Sequence, residues 1–217
     1  MKLGMDAVDA SPSPGRAYGG LLVDFGGVLT TNIWPSFEEF CEGEGLPGDA
    51  VIALFRSDPE ALAELRLLER GEIADAEFER GFARRLGVEP EGLIGRLFAG
   101  LDPEEAVIGA VRAARRSGIR TGLISNSWGT GIYDRAPIEL FDAVVISADV
   151  GMHKPEPDIY RLGAERIGVA PERCVFVDDL RENVTGAERV GMTAVLHREP
   201  LATVDELERL LGVELRG

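Results

Sequence analysis

The fold of this chain is decided at residues 21–28, which read LLVDFGGV. The apolar run that leads into Asp24 predicts a buried strand over residues 19–25, because strands covered on both faces are continuously rather than alternately apolar. Two glycines, Gly26 and Gly27, then end the strand. A polar side chain at the end of such a strand is typical of an open parallel sheet, whose ligands bind beyond the carboxyl ends of the strands.

Three further polar signatures accompany apolar runs later in the chain. Ser125 and Asn126 follow GLI, Lys154 stands in GMHKP, and Asp178 and Asp179 close CVFV. Because the carboxyl ends of parallel strands share one edge of the sheet, we expect these side chains to gather there with that of Asp24. Carboxylates, a hydroxyl, an amide and an ammonium in one place suit a divalent cation together with a phosphate.

Helical periodicity replaces the strand pattern between about residues 36 and 99, and glycines and prolines divide this stretch into about five short helices. Strands alternate with helices after residue 101, at 119–124, 143–147, 174–178 and 193–196. The sequence therefore predicts the α/β class, a doubly wound (Rossmann-like) parallel sheet core with an inserted all-helical cap. We divide the chain into a flexible leader (1–17), a core (18–33 with 101–217) and the cap (34–100).

Composition excludes several classes of partner. A net charge of −15 repels nucleic acids and anionic membrane surfaces. No segment approaches the roughly 20 apolar residues of a membrane span, and the N-terminus lacks the apolar stretch of a secretory signal. Two cysteines expected to be buried, Cys41 and Cys174, fit a reducing compartment. We therefore expect a cytoplasmic protein, either a monomer or a homodimer.

The order Asp, Ser-Asn, Lys-Pro, Asp-Asp resembles the haloacid dehalogenase (HAD) superfamily, in particular its branch with a helical cap (C1) after the first strand. Four stretches look like bacterial glucose-1-phosphate phosphatases and the N-terminal phosphatase domain of soluble epoxide hydrolases: DFGGVLT, ERGEI, GMHKPEPDIY and VFVDDLRENVTGAERVGM. The resemblance covers about residues 19–212. It implies a Mg²⁺-dependent phosphatase that acts on a small phosphorylated metabolite through an aspartyl-phosphate.

The resemblance also implies roles for the carboxylates. Asp24 is the expected nucleophile, and a carboxylate suits this role because it attacks phosphorus without first losing a proton. Adjacent carboxylates repel each other unless a cation relieves them, and Mg²⁺ prefers oxygen ligands. We expect Asp24, the backbone carbonyl of Gly26 and Asp179 as direct ligands, with Asp178 binding directly or through water.

The remaining site residues are expected to hold the phosphate. Lys154 is the only lysine besides Lys2 in a chain that otherwise uses arginine. Its compact ammonium can hold the nucleophile and a phosphoryl oxygen together, and the Ser125 hydroxyl can hold the other oxygens. The expected substrate contacts are Ser125, Asn126, Lys154, Gly27, Trp34 and Trp128. Asn183 is expected to orient Lys154 or Asp179.

Gly26 departs from the family pattern, because most phosphatases of the superfamily have there a second aspartate that protonates the leaving alkoxide and later activates water. Such assistance is typically worth about 10²–10⁴ in rate. Three explanations stay open. In the first, the substrate has an easier leaving group, as an anomeric sugar, aryl or acyl phosphate does. In the second, another residue supplies the acid, with Glu69, Glu72, His153 and Glu38 as the candidates. In the third, the chain is a slow enzyme or a catalytically impaired phospho-ligand binding protein. Dehalogenation is disfavoured, since Asp178 and Asp179 would oppose release of a halide.

Overall fold

The computed structural model describes residues 16–129, 131–133 and 137–216 of the chain, so most of the predicted leader lies outside the described residues. The described residues form a five-stranded sheet with the order β3-β2-β1-β4-β5, in which every neighbouring pair is parallel. The strands are β1 (Gly20–Val23), β2 (Arg120–Ser125), β3 (Ala143–Ile146), β4 (Cys174–Asp178) and β5 (Thr193–Leu196). The predicted fold class is confirmed.

Helices cover both faces of the sheet. Side chains alternate along β1, so that Leu21 and Val23 enter one apolar cluster while Leu22 enters the other. The helices on the first face are α6 (Glu105–Arg116) and α10 (Pro200–Leu211), and those on the second are α8 (Pro157–Ile167) and α9 (Arg181–Arg189). Burial on both faces explains why the strands are apolar throughout.

The inserted segment between β1 and α6 is helical. Its helices are α1 (Ile33–Gly43), α2 (Ala50–Ser57), α3 (Pro59–Glu69), α4 (Asp75–Leu86) and α5 (Leu93–Leu97). They enclose an apolar cluster of their own, centred on Phe37, Phe78 and Phe82. The exact division at residues 34 and 100 stays an interpretation.

Two local features differ from the sequence-based expectation. A short helix, α7 (Ser147–Val150), follows β3, so Lys154 comes from a loop after this helix and not directly from a strand end. The last helix begins at Pro200 rather than near residue 203, because proline is well suited to the first helical position. In the part of the chain that the structure describes, no helix combines the length and apolarity needed to cross a bilayer.

Candidate active site

Three carboxylates meet at the carboxyl ends of the two central strands. Val23 pairs with Val177 across β1 and β4, which brings the following residues, Asp24 and Asp178, side by side. One oxygen each of Asp24, Asp178 and Asp179 lies within 4.8 Å of the other two. The Lys154 Nζ atom lies 2.6 Å from Asp24 Oδ1 and 2.7 Å from Asp178 Oδ2. The structure thus assembles the four charged groups that the sequence placed at this edge.

The electrostatics of this cluster show an excess of negative charge. Burial, reinforced by Asp178 and Asp179 against the opposing effect of Lys154, raises the pKa of Asp24 to about 8. Burial and then Asp178 raise the pKa of Asp179 to about 6. Burial works to lower the Lys154 pKa, but Asp178 and Asp24 more than offset it and hold the pKa above its ordinary value. One ammonium therefore does not balance two buried carboxylates and a third that is half-buried.

Asp178 is committed to protein groups. Besides Lys154, it accepts hydrogen bonds from the Leu180 N–H at 2.9 Å and from the Asn183 Nδ2 at 3.0 Å. Asp24 and Asp179 consequently offer the more available oxygens of the cluster. Asn183 bonds directly to Asp178, because α9 begins at Arg181 and its first turn directs Asn183 towards the last residue of β4. The expectation that Asn183 orients Lys154 or Asp179 stays a prediction.

The two glycines after Asp24 have different environments. Gly27 has a φ of +72°, and a Cβ atom there would lie 2.8 Å from Asp179 Oδ2, so only glycine lets this carboxylate approach. Its N–H donates to Thr30 Oγ1 at 3.0 Å. Gly27 lines a neighbouring cavity together with Trp34 and Asp179, and its expected contact with substrate in the active-site cavity stays a prediction. Gly26 lines that cavity, and a Cβ atom there would meet only Ile33, at 3.5 Å.

The Ser125 and Asn126 side chains are held in place by different partners. The Tyr133 hydroxyl donates to Ser125 Oγ at 2.9 Å, and Ser125 Oγ itself donates to the Asn126 carbonyl at 3.4 Å. Asn126 brackets the backbone of Lys154: its Oδ1 accepts from the Lys154 N–H at 2.8 Å and its Nδ2 donates to the carbonyl at 3.1 Å. Asn126 lines the cavity, but its amide is used to position Lys154 rather than left free for the substrate.

A cavity of about 620 Å³ lies between this cluster and the cap. Asp24, Ser125, Lys154 and Asp179 form its polar floor. Aromatic and aliphatic side chains dominate the rest of the wall, among them Trp34, Phe37, Phe55, Leu65, Phe98 and Trp128. The cavity therefore offers a charged end for a phosphate and an apolar space for the group attached to it.

Both tryptophans line the cavity. Trp34 is 38% exposed and packs edge-on against Phe37, with ring centroids 5.8 Å apart. Trp128 belongs to the core, yet its ring lies among cap aromatics, with centroids 5.3 Å from Phe98 and 5.6 Å from Phe37. A residue of the loop after Ser125 thus anchors the cap above the site.

The four residues considered as replacement acids lie in two kinds of place. Glu38 and Glu72 are exposed and do not line the cavity. His153 and Glu69 line it, and the His153 Nδ1–H donates to the Lys154 carbonyl at 2.7 Å. Burial raises the pKa of Glu69 to about 7.

Four further residues belong to the site although the sequence reasoning did not single them out. They are Tyr133, Arg66, Arg70 and Glu182, of which the last three line the cavity. The spacing of Arg66, Glu69 and Arg70 places them on one side of α3, which is the signal that could have indicated them. No local pattern marks Tyr133, whose contact with Ser125 depends on the loop after β2.

Comparison with known proteins gives consistent results. The family model described as haloacid dehalogenase-like hydrolase matches residues 18–191. The chain is 26% identical over 214 residues to the bifunctional epoxide hydrolase 2 of Mus musculus, covering 88% of this chain and 38% of that protein. It is 28% identical over 185 residues to a sesquiterpene phosphatase of Aspergillus oryzae, covering 73% of this chain and 92% of that protein.

Solved structures share the fold. A HAD family enzyme of Bacteroides thetaiotaomicron, crystallised as an aspartate-to-alanine mutant with magnesium and inorganic phosphate, aligns with a TM-score of 0.65 at 21% identity. The alignment covers 83% of this chain and 94% of that one. Among the curated relatives, the chain spans well under two thirds of the length of several, the epoxide hydrolase among them.

Proposed function

The chain belongs to the haloacid dehalogenase-like hydrolase family, and from this membership we propose that it is a Mg²⁺-dependent phosphatase that forms an aspartyl-phosphate on Asp24. The observation that carries the proposal is the largely buried cluster of Asp24, Lys154, Asp178 and Asp179 at the polar end of the cavity. A phosphate ester is the substrate class that needs a nucleophile, fixed positive charge and an adjacent leaving-group space together.

The residues present fit a magnesium ion. The cluster holds three carboxylates, of which Asp24 and Asp178 are buried and Asp179 is half-buried, and two of the three have raised pKa values. With a single ammonium beside them, they leave negative charge that a divalent cation would neutralise. Asp24, the carbonyl of Gly26 and Asp179 would hold the ion, while Asp178 is engaged by Lys154 and Asn183. When bound, Mg²⁺ supplies positive charge to the phosphoryl oxygens. The Bacteroides enzyme with magnesium and phosphate is consistent with this assignment.

Asp24, Lys154 and Ser125 have different roles in the proposed phosphoryl transfer. Asp24 attacks the phosphorus atom, and Lys154, within 2.6 Å of Asp24, places its ammonium beside the reacting oxygens. The Ser125 hydroxyl, fixed by Tyr133, donates to a phosphoryl oxygen. Water hydrolyses the aspartyl-phosphate afterwards, which returns Asp24 and releases inorganic phosphate.

The cavity also bears on the substrate. Arg66, Glu69, Arg70 and Glu182 also line the cavity, but aromatic and aliphatic side chains make up most of its wall, which favours an apolar or aryl alcohol over a sugar. The similarity to a sesquiterpene phosphatase is consistent with an apolar alcohol. We therefore propose a small phosphorylated metabolite with an apolar leaving group. The buried free thiols of Cys41 and Cys174 support a reducing, cytoplasmic location.

The first prediction concerns substrate preference. At saturating Mg²⁺, kcat/KM for phenyl phosphate is expected to exceed that for glucose-1-phosphate by about 10²-fold, because burying one apolar ring contributes about 3 kcal/mol. Steady-state phosphate release with both esters, with and without EDTA, measures it. Equal or better use of glucose-1-phosphate would contradict the apolar assignment. No Mg²⁺-dependent turnover of either ester would overturn the phosphatase and favour the phospho-ligand binding protein.

The second prediction concerns the metal. Adding Mg²⁺ to EDTA-treated protein is expected to raise the melting temperature by about 5 °C, since saturation at 100 times the dissociation constant contributes about 2.7 kcal/mol. Differential scanning fluorimetry measures the shift. Asp179→Asn should lose most of the shift, whereas Asp49→Asn, an exposed aspartate in the cap, should keep it. An unchanged shift in Asp179→Asn would remove Asp179 from the ligand set.

A further inference from the structure

We infer that Glu69, at the end of cap helix α3, is the general acid and base of this active site. It takes the role of the second aspartate, which is missing here because position 26 is a glycine. The inference rests on the proposed phosphatase function and adds a catalytic residue to it. It starts from the position of Glu69, which lines the same cavity as Asp24, Gly26 and Lys154 although it belongs to the cap.

The end of α3 is fastened to the core, which fixes the Glu69 backbone above the site. The Ser147 Oγ donates a hydrogen bond to the Glu69 carbonyl, and the Arg70 side chain forms an ion pair with Glu156. Gly71, with a φ of +69°, packs so closely that a Cβ atom there would lie 2.5 Å from the Ala148 carbonyl oxygen. The cap therefore touches the segment that leads to Lys154 at this point, and a glycine is required for the contact.

The Glu69 carboxyl group is half-buried, and among the described residues none forms a hydrogen bond or ion pair with it. Burial raises its pKa to about 7, Lys154 and Arg66 work against the rise, and the smaller effects of Glu182 and Arg70 oppose each other. A carboxyl group in this state holds a proton for part of the time at neutral pH. That is the condition under which a general acid and a general base are both effective.

The other candidates fit this role less well. Glu38 and Glu72 are exposed and do not line the cavity. The Nδ1–H of His153 donates to the Lys154 carbonyl, and its Nε2 lies 3.8 Å from Glu156 Oε1. Glu182 lines the cavity but belongs to the core helix α9 and is exposed to solvent.

The proposed steps balance as follows. A carboxylate oxygen of Asp24 bonds to phosphorus, the ester P–O bond breaks, and the leaving oxygen takes the proton of the Glu69 carboxylic acid. An alcohol, an aspartyl-phosphate and a Glu69 carboxylate result. The Glu69 carboxylate then takes a proton from water as the water oxygen bonds to phosphorus and the P–O bond to Asp24 breaks. Inorganic phosphate leaves, and Asp24 and protonated Glu69 are restored.

Leaving-group dependence tests the inference. Glu69→Gln is expected to lower kcat/KM for benzyl phosphate, a poor leaving group, by about 10²-fold, and that for p-nitrophenyl phosphate by less than about threefold. The matched control, Glu72→Gln, removes an exposed cap carboxylate outside the cavity and should change neither value. The wild-type kcat/KM for benzyl phosphate should also fall above a pH of about 7 as Glu69 loses its proton, and this limb should vanish in Glu69→Gln.

Other outcomes overturn the inference. An equal fall for both esters would make Glu69 a binding or structural residue, and no fall for either would place the acid elsewhere, which Glu182→Gln would then reveal. Retention of the Mg²⁺-induced melting shift in Glu69→Gln shows that the variant is folded with its metal site intact. If the wild type cleaves neither ester, the phosphatase proposal itself fails and removes the basis for the inference.

Discussion

Replacement of Asp24 by asparagine is expected to lower kcat for p-nitrophenyl phosphate by at least about 10⁴-fold, since removal of a catalytic nucleophile costs most of the rate enhancement. An amide does not form the acyl-phosphate bond. The wild type, quenched in acid during turnover, should carry one added phosphoryl group in its intact mass, and the variant should carry none. Kinetics at several Mg²⁺ concentrations separate loss of the nucleophile from weakened metal binding.

The Asp24→Asn variant is expected to fold. The asparagine side chain keeps an oxygen that can accept from the Phe25 N–H, as Asp24 Oδ1 does at 2.7 Å, and Lys154 keeps its partner Asp178 at 2.7 Å. The amide also removes one charge from a cluster with too much negative charge. Asp158→Asn, which changes an exposed aspartate on α8, is the matched control and should retain full turnover. Turnover of Asp24→Asn within about tenfold of the wild type would contradict nucleophilic catalysis by Asp24.

The sequence was sufficient to predict how the carboxylates come together. Continuous apolar runs identified the strands, and parallel strands bring their carboxyl ends to one edge whatever their order in the sheet. Here Asp24 and Asp178 lie at the ends of adjacent strands, so their side chains are brought next to each other. Lys154 reached the same place through a short helix, which the strand pattern did not indicate.

The partners of the polar side chains could not be predicted in the same way. Asn126 contacts the Lys154 backbone and Asn183 contacts Asp178, and both contacts depend on how loops turn after their strands. Gly27 has a left-handed backbone conformation, and the Asp179 carboxylate lies close to it. The position of Gly27 in the motif does not predict this contact. The position of Trp128 could not be predicted either. Its ring packs into the aromatic cluster of the cap although the residue belongs to the core, and this contact depends on tertiary packing.

The second large expected effect is a gain in kcat/KM when an acidic side chain is introduced at position 26. Gly26→Asp, introduced into the Glu69→Gln variant, is expected to raise kcat/KM for benzyl phosphate by about 10³-fold, because it restores a general acid in the position that most phosphatases of the superfamily use. The site has room for the side chain: a Cβ atom at Gly26 meets only Ile33, at 3.5 Å, and its backbone is outside the left-handed region, unlike that of Gly27. Steady-state kinetics with benzyl and p-nitrophenyl phosphate measure the gain, which the second ester should not show.

The same substitution in the wild type should give a smaller gain, because two acids that serve one leaving oxygen are redundant and their effects are not additive. Gly26→Ala is the matched control, since it adds the Cβ atom without the carboxyl group, and it should give no gain in kcat/KM for either ester. An identical gain in the wild-type and Glu69→Gln backgrounds would mean that Glu69 donates no proton. A gain confined to the Glu69→Gln background would instead locate the acid of the natural chain in its cap, at the point where α3 meets the loop that carries Lys154.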